Sequence, residues 1–551
     1  MTKCVTSRRR FLSGATMTMA AVVLPGAGAW AAGDAGPRVL DIASRTIEVK
    51  GKAAAVFGLI GADGKRGLSF TSGESFYVRL NNTLAEPTLI HWHGLSPPTH
   101  QDGVPVLSHD PIGPRSFQLY DFRLTEPGTH WMHSHFSLTQ FQRLMASPLI
   151  IRSPEERRLD EQEVVMMLND FTFKDPEEIL ARLKRTSHVP EASTGTHHMA
   201  GTDEQKPVAA APAQAGMPGM AGMPGMAAMP GLSTMPAMPG MPAMPAMPGM
   251  PGTAAASGGN APPAPPPAAG AGGTTSHMMA GVKMDVNDIE FDAYLANDRT
   301  LDDPEVIQVE AGGRVRLKVI AGSASTNFFL DLGELEGELL AVDGHAVLPV
   351  RARRFPMAMA QRFELRLQLP PGGGVFPILA QREDDTIRTG IVLASSKAAI
   401  QRVAERASGK AGIVGLELEH ELRAAEPLKL RPVDRSHEVV LGGVMENYQW
   451  TINGAVFGQD KPLQVSLGER VELVMRNTTA MAHPMHLHGT SFQVVEIDGK
   501  RLNGARRDTV MVPAEARVTV AFDALNAGRW AFHCHNSYHQ EAGMMTSLEY
   551  V

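Results

Sequence analysis

At 551 residues, with 51 Lys+Arg against 58 Asp+Glu and a formal charge of −7, the chain has room for about three domains of ordinary size and no cationic excess for a nucleic-acid partner. After residue 31 no run is long and apolar enough to cross a bilayer as a helix. The only cysteines are Cys4 and Cys534.

The chain opens on Ser7-Arg8-Arg9-Arg10-Phe11-Leu12, a weakly apolar run over 17–24, and the small-residue stretch Ala27-Gly28-Ala29-Trp30-Ala31. Basic start, short apolar middle and small-residue cleavage region read as a twin-arginine export signal over 1–31. Export by that route implies a bacterial periplasmic protein, often carrying a cofactor. Loss of the signal removes Cys4, so Cys534 has no disulfide partner within the mature chain. A lone thiol among histidines is better explained as a metal ligand.

Beyond the signal the pattern alternates with period two. Arg314-Val-Arg-Leu-Lys-Val319 sets Val315, Leu317 and Val319 on one face and three cations on the other. Phe363-Glu-Leu-Arg-Leu-Gln-Leu369 and Arg517-Val-Thr-Val-Ala-Phe522 repeat the arrangement. Short alternating strands between Gly and Pro turns predict β-sandwiches. One helix is expected after Asp175 as N-cap, with Pro176 in its first position, Glu178 completing a capping box and Ile179, Leu180 and Leu183 as its apolar side.

The sequence repeats itself. Gly73-Glu-Ser-Phe-Tyr-Val-Arg-Leu-Asn-Asn82 aligns with Gly468-Glu-Arg-Val-Glu-Leu-Val-Met-Arg-Asn477, and continuing without a gap puts His91 on His486 and His93 on His488. Gly128-Thr-His-Trp-Met-His133-Ser-His135 aligns with Gly528-Arg-Trp-Ala-Phe-His533-Cys-His535. A third copy starts at Gly312-Gly-Arg-Val-Arg-Leu317, with Leu330, Leu332, Leu379 and Gln381 where the others carry histidine. The expected architecture is all-β, three related sandwiches over 38–153, 160–400 and 425–551. Four His-X-His pairs, two from each terminal sandwich, suggest a metal cluster clamped at a pseudo-symmetric interface. Ser134 stands where Cys534 stands, so the third sandwich alone can build a thiolate site.

Residues 187–282 form a low-complexity insertion in the middle sandwich. From Met217 to Met250 a Met recurs every third residue except at Leu232, among Pro, Gly and Ala. That composition builds no core and predicts a disordered or polyproline-like segment. Its thioethers, with His197, His198, His277, Met278 and Met279, suit collection of soft Cu(I); an inert spacer is the alternative.

The last segment, Phe532-His533-Cys534-His535…His539…Met544, concentrates the chemistry. Soft sulfur, two imidazoles and a weak distant Met make a blue-copper site, and Cys534, His539 and Met544 could supply three of those ligands. Strand alternation turns His533 and His535 away from whatever Cys534 holds and toward a second centre.

These motifs resemble the multicopper oxidases, and most of all the bacterial periplasmic copper-resistance protein A group. The resemblance rests on His91-Trp92-His93-Gly94, His133-Ser134-His135, His483-Pro-Met-His486-Leu-His488 and His533-Cys534-His535…His539…Met544. It implies three cupredoxin-like domains and four copper ions. The type 1 copper would be held by His483, Cys534, His539 and Met544, and the type 2 copper by His91 and His486. The type 3 pair would be held by His93, His133, His135, His488, His533 and His535. It further implies one-electron oxidation of Cu(I) or phenols at the type 1 site, with Cys534 passing electrons through His533 and His535 so that O2 is reduced to water. Asp102 matches the family's acidic residue beside the cluster, a proton donor in that reading and a turn-forming Asp-Gly in the alternative. Gln540 stands where related oxidases often carry an acid. Met481 matches a Cu(I)-binding Met, its usual acidic neighbour replaced by Thr479; Met357 and Met359 are further candidates. A periplasmic, monomeric cuprous oxidase in copper tolerance is the expectation, with a laccase-like phenol oxidase or a copper-sequestering protein as alternatives.

Overall fold

A computed structural model describes residues 36–186, 286–395 and 399–551. The export signal with Cys4, and all of the Met-rich insertion 187–282 with its histidines, lie outside the described residues.

The alternating segments form strands that pair into three cupredoxin-like β-sandwiches, each of two sheets. The internal repeat reappears as a shared strand order. In the first sandwich the histidine-bearing sheet runs Leu68–Thr71, Ala146–Arg152, Gly128–Ser134, Ile90–His93. In the third it runs Leu463–Val465, Met545–Tyr550, Arg529–Cys534, His483–Leu487, with Thr509–Val512 added at the edge. The middle sandwich repeats the order with Val306–Val309, Arg388–Ser395, Val375–Arg382 and Phe328–Asp331. In all three the outermost strand pairs parallel to its neighbour.

Alternation decides which side chains enter each core. In the first sandwich Trp92, between His91 and His93, is fully buried against Phe76 and Tyr120, at ring separations of 4.7 and 4.9 Å. The two histidines face the other way, out of that core. In the middle copy Leu330 and Leu332 are core residues, and Gln381 accepts a hydrogen bond from Arg354. Apolar filling replaces metal chemistry there.

The cationic face of Arg314–Ala321 runs from exposed Arg314 through half-buried Arg316 to the interior. Lys318 is fully buried, facing Glu156 at 3.2 Å, Glu163 at 3.5 Å and Glu364 at 3.7 Å. Residues between the second and third sandwiches wrap the middle one: Arg388 donates its N–H to Glu405 O at 2.9 Å, and Leu422 is buried in the middle core.

The expected helix is present as Pro176–Thr186, with Asp175 Oδ1 accepting from Glu177 N–H at 2.9 Å. Ile179 and Leu180 pack into the core of the third sandwich, as does Ile289 on the far side of the insertion. Both described borders of residues 187–285 therefore sit against the sandwich that carries Cys534.

Candidate metal centre

Two strand pairings bring the histidines together. His91 pairs across to His133 in the first sandwich, and His486 to His533 in the third. These are equivalent positions in the repeat, so the sheets present matching pairs to one another.

On the core side of the third sandwich, Cys534 Sγ lies 3.7 Å from His483 Nδ1 and 3.7 Å from His539 Nδ1, which are 3.2 Å apart. All three side chains and Met544 are inaccessible to solvent. The outer nitrogens are tied down: His483 Nε2 lies 2.8 Å from Thr479 Oγ1, and His539 Nε2 lies 3.0 Å from Asp288 Oδ2. Asp288 Oδ2 also accepts from Tyr448 Oη at 2.6 Å, and the Trp450 ring lies 4.3 Å from that of His539.

On the opposite face, eight imidazoles from the two terminal sandwiches form a cage. His135, His488 and His533 converge with ring separations of 5.1–5.2 Å. His93, His133 and His535 make a second set at 5.1–5.7 Å, and His91 and His486 face each other at 5.7 Å. The sequence-expected side-chain alternation around Cys534 thus holds in space.

Two carboxylates brace this cage in crossed fashion. Asp102, from the first sandwich, lies with Oδ2 2.9 Å from His488 Nδ1 of the third and with its carbonyl 3.1 Å from His91 Nδ1. Asp508, from the third, lies with Oδ1 3.1 Å from His93 Nε2 of the first and with its carbonyl 2.8 Å from His486 Nδ1. His133 Nδ1 and His533 Nδ1 are held by the carbonyls of Ser134 and Cys534. The inward nitrogens, His91 Nε2, His93 Nδ1, His133 Nε2 and His486 Nε2, are buried with no partner among the described residues. An unpartnered buried nitrogen is costly, and imidazoles braced on the outside by carboxylate and carbonyl are what a metal site requires. The residues present therefore fit copper. A soft thiolate set suits one ion and an all-imidazole cage suits others.

Sequence reasoning found Asp102 and missed Asp508, Asp288 and the arginine that holds Asp508. Of the three candidate substrate methionines, Met481 packs in the third core, Met357 in the middle core, and Met359 donates its backbone N–H to Asn327, while Ala358 and Ala482 beside them share one small apolar cluster. Gln540 and Glu541 line a cavity of about 20 Å³ that touches His133, His135 and His535, room for roughly one water. A second cavity of about 390 Å³ also reaches His135 and Gln540 past Val106 and Phe457.

The first sandwich keeps a polar imprint of the thiolate site. Ser134 N–H bonds Met145 O as Cys534 N–H bonds Met544 O. Gln140 Oε1 accepts from Ser134 Oγ at 2.9 Å and from Thr88 Oγ1 at 2.7 Å, and Thr88 Oγ1 lies 3.4 Å from Met145 Sδ. Hydrogen bonds there satisfy the atoms that ligands would otherwise supply.

Burial drives the imidazoles of His93, His133, His135, His483, His486, His488 and His535 well below the ordinary range, and that of His533 to about 4. Burial also pushes the Cys534 thiol up, while the Asn536 N–H pulls it down. Neutral rings leave their lone pairs free for metal. In the copper-free chain the unfolded state takes up these protons first, from about pH 6.5 downward, so stability present above that pH is lost as pH falls. Each depressed ring contributes up to about 1.4 kcal/mol per pH unit. Thermal melts of the copper-free chain from about pH 7.5 to about pH 5.5 are expected to fall steeply below the unfolded histidine pKa; a flat profile would mean the rings are solvated.

Three family models described as multicopper oxidase match residues 42–156, 269–402 and 431–551. The multicopper oxidase MmcO of Mycobacterium tuberculosis is 29% identical, over 87% of this chain and 80% of its own length. A copper resistance protein A homolog of Pseudomonas syringae pv. tomato is 25% identical over 98% of this chain and 99% of its own. Among solved structures, a laccase from Botrytis aclada superposes with a TM-score of 0.65 at 18% identity, covering 93% of this chain and 86% of that one.

Proposed function

The chain belongs to the multicopper oxidases, and from that premise we propose that it oxidises Cu(I) with O2 in copper tolerance, as a periplasmic monomer exported through its twin-arginine signal. The observation that carries the copper reading is the separation of a buried Cys534–His483–His539–Met544 set from an eight-imidazole cage by one peptide unit on either side of Cys534. In this reading His483, Cys534, His539 and Met544 hold a type 1 copper. His91 and His486 hold type 2, and His93, His133, His135, His488, His533 and His535 hold the type 3 pair. Bound there, copper would supply one-electron acceptance at the thiolate site and four-electron reduction of O2 to water at the cage.

The chain's own contribution is placement. Cys534 is bonded through its own backbone to His533 and His535, so the two centres share one rigid strand end. Full burial of Cys534 excludes water and competing oxidation of the thiol. Asp102, between His488 and His91, is the carboxylate best situated to hand protons to the cage. The cavity bordered by Gln540 and Glu541 supports access for a molecule as small as O2.

Cu(I) as reductant draws support from the chain's path. Both described borders of the Met-rich insertion pack on the third sandwich, and Asp288, at its far border, touches His539. One observation favours the laccase-like alternative: Asp288 Oδ1 has no partner among the described residues and could accept a phenolic proton beside the thiolate site. Oxygen uptake by the copper-loaded chain, with chelated Cu(I) and with a dimethoxyphenol in turn, separates the two. Cu(I) is expected to drive the faster uptake. Deleting 217–250 should lower that rate several-fold while phenol turnover survives or rises. Fast phenol oxidation with little response to Cu(I) would establish the alternative, and copper loading without uptake on either would leave sequestration.

A further inference from the structure

Among the described residues the middle sandwich supplies no imidazole to the cage, yet one of its arginines reaches it. Arg362 opens the strand Arg362–Gln368 and is fully buried. Its guanidinium closes a fork on Asp508, Nη1 to Oδ1 and Nη2 to Oδ2, both at 2.6 Å. Its Nε donates to Thr129 O of the first sandwich at 3.0 Å. One side chain thereby touches all three sandwiches.

Asp508 meets two rings at once, with Thr509 Oγ1, itself bonded to Asp508 Oδ1, beside it at 3.4 Å from His93 Nε2 and 3.2 Å from His486 Nδ1. His93 and His486 stack with centroids 3.8 Å apart and planes at 14°. Asp508 holds His486 by Nδ1 through its carbonyl and His93 by Nε2 through its carboxylate. The rings consequently turn opposite nitrogens inward, Nε2 from His486 and Nδ1 from His93. His91, His133, His488 and His533 are all braced by Nδ1. The reversed face of His93 thus depends on a carboxylate, and the carboxylate's orientation on Arg362.

The repeat shows room made for this arginine. Gly94 corresponds to Gly489, and His130 to Trp530. A Cβ on Gly489 would meet the Trp530 ring at 2.2 Å, whereas one on Gly94 (φ +93°) would meet Arg362 Nη2 and His130 Nδ1, each at 2.5 Å. The third sandwich fills this place with its own indole; the first shares it between its smaller His130 ring and a guanidinium from its neighbour. Stability is a poor account of the arrangement. Asp343 joins Arg362 to Arg507, at 3.7 and 3.1 Å, and Arg507 pairs with Glu419 at 2.7 Å. Such buried ionic rows cost about as much in desolvation as they return in attraction.

We propose that Arg362 is a positioning residue for the copper cage: by locking Asp508 it fixes the nitrogen that His93 turns to the metal and the seating of His486. The proposal rests on the assignment of His93 and His486 as ligands. In the copper-loaded full chain, Arg362→Met is expected to weaken copper retention at the cage about 10–100-fold, the usual effect of losing an outer partner. It should also alter the paramagnetic resonance of the cupric ion at His91 and His486 while the blue absorption of Cys534 stays native. Arg362→Lys, a point contact in place of a fork, should fall between. In an Asp508→Asn background, Arg362→Met should add nothing. Arg45→Met breaks the 2.6 Å bond from Arg45 Nη1 to Asp298 Oδ2 across the seam between the first and middle sandwiches without touching Arg362 or Asp508, and should keep the native resonance. Native resonance and retention in Arg362→Met, or the same changes in Arg45→Met, would overturn the proposal. Should Arg362→Met not fold, native behaviour in Arg362→Lys would do so. A wild-type chain lacking the cupric resonance at the cage would refute the ligand assignment instead.

Discussion

Cys534→Ser is expected to abolish the blue absorption and reduce oxygen uptake to background, while the chain folds and still loads copper at the histidine cage. The hydroxyl is a poor ligand for soft copper, and Cys534 joins the thiolate set through its side chain and two cage imidazoles, His533 and His535, through its backbone. Its loss should exceed the roughly 10–100-fold that removal of an outer partner costs. Folding should survive because the chain already contains the answer. Ser134 occupies the equivalent strand position between His133 and His135, bonded to Gln140, and both flanking rings still face the cage. Absorption, copper per chain and oxygen uptake check the prediction together. Retained uptake without the blue band would mean that electrons reach the cage by a route independent of Cys534.

What could be read from the sequence was what repeats. Period-two alternation and the aligned His-X-His pairs point to sandwiches whose common strand order the structure displays, and alternation alone puts Cys534 and its flanking histidines on opposite faces. The bracing acids and cations do not repeat. Asp508 lies between the short strands Arg506–Arg507 and Thr509–Val512, outside the gap-free windows that align the histidines. Asp102 does for His488 what Asp508 does for His93, but no constant offset relates them. Arg362 opens an alternating strand and reads as a surface cation; a sandwich buried against two others has no such surface there. Lys318 is hidden from pattern reading for the same reason. Asp288 follows a low-complexity stretch and carries no local signature, and only tertiary pairing sets it on His539.

This split has a physical cause. Ligands must occur at fixed spacings on a strand, because geometry along one element sets their convergence. Their supports need only arrive from somewhere, and here they arrive across seams: Asp102 from the first sandwich to the third, Asp508 from the third to the first, Arg362 from the middle to both. Disturbing the seams crossed by Asp102, Asp508 and Arg362 should therefore act on metal retention at the cage before it acts on the thiolate site, whose four candidate ligands lie within one sandwich although Asp288 reaches His539 from the middle segment.

Gly103→Ala provides the most severe steric test of that view. Gly103 has φ +82°, and an added Cβ would lie 1.9 Å from Ile90 O and 2.5 Å from Ile90 C. Placing an L-residue in that conformation costs about 1–2 kcal/mol, and forcing atoms into a packed site adds about 1–3 kcal/mol. The obstacle is backbone on the strand that carries His91 and His93, so no side-chain rotation relieves it. A destabilisation of roughly 2–5 kcal/mol is expected from these terms, with displacement of Asp102 from His488 and His91. Denaturant unfolding and copper retention of the variant measure both effects. Asp102→Asn keeps the turn and removes only the charge, so the pair separates the two roles of Asp102-Gly103. If the segment is merely a tight turn, Asp102→Asn turns over normally while Gly103→Ala fails. If the carboxylate also serves the cage, Asp102→Asn should fold normally and lose about 10–100-fold in oxygen uptake. A Gly103→Ala chain of native stability would mean that the strand at Ile90 yields freely, and the rigidity assumed for the cage would be wrong.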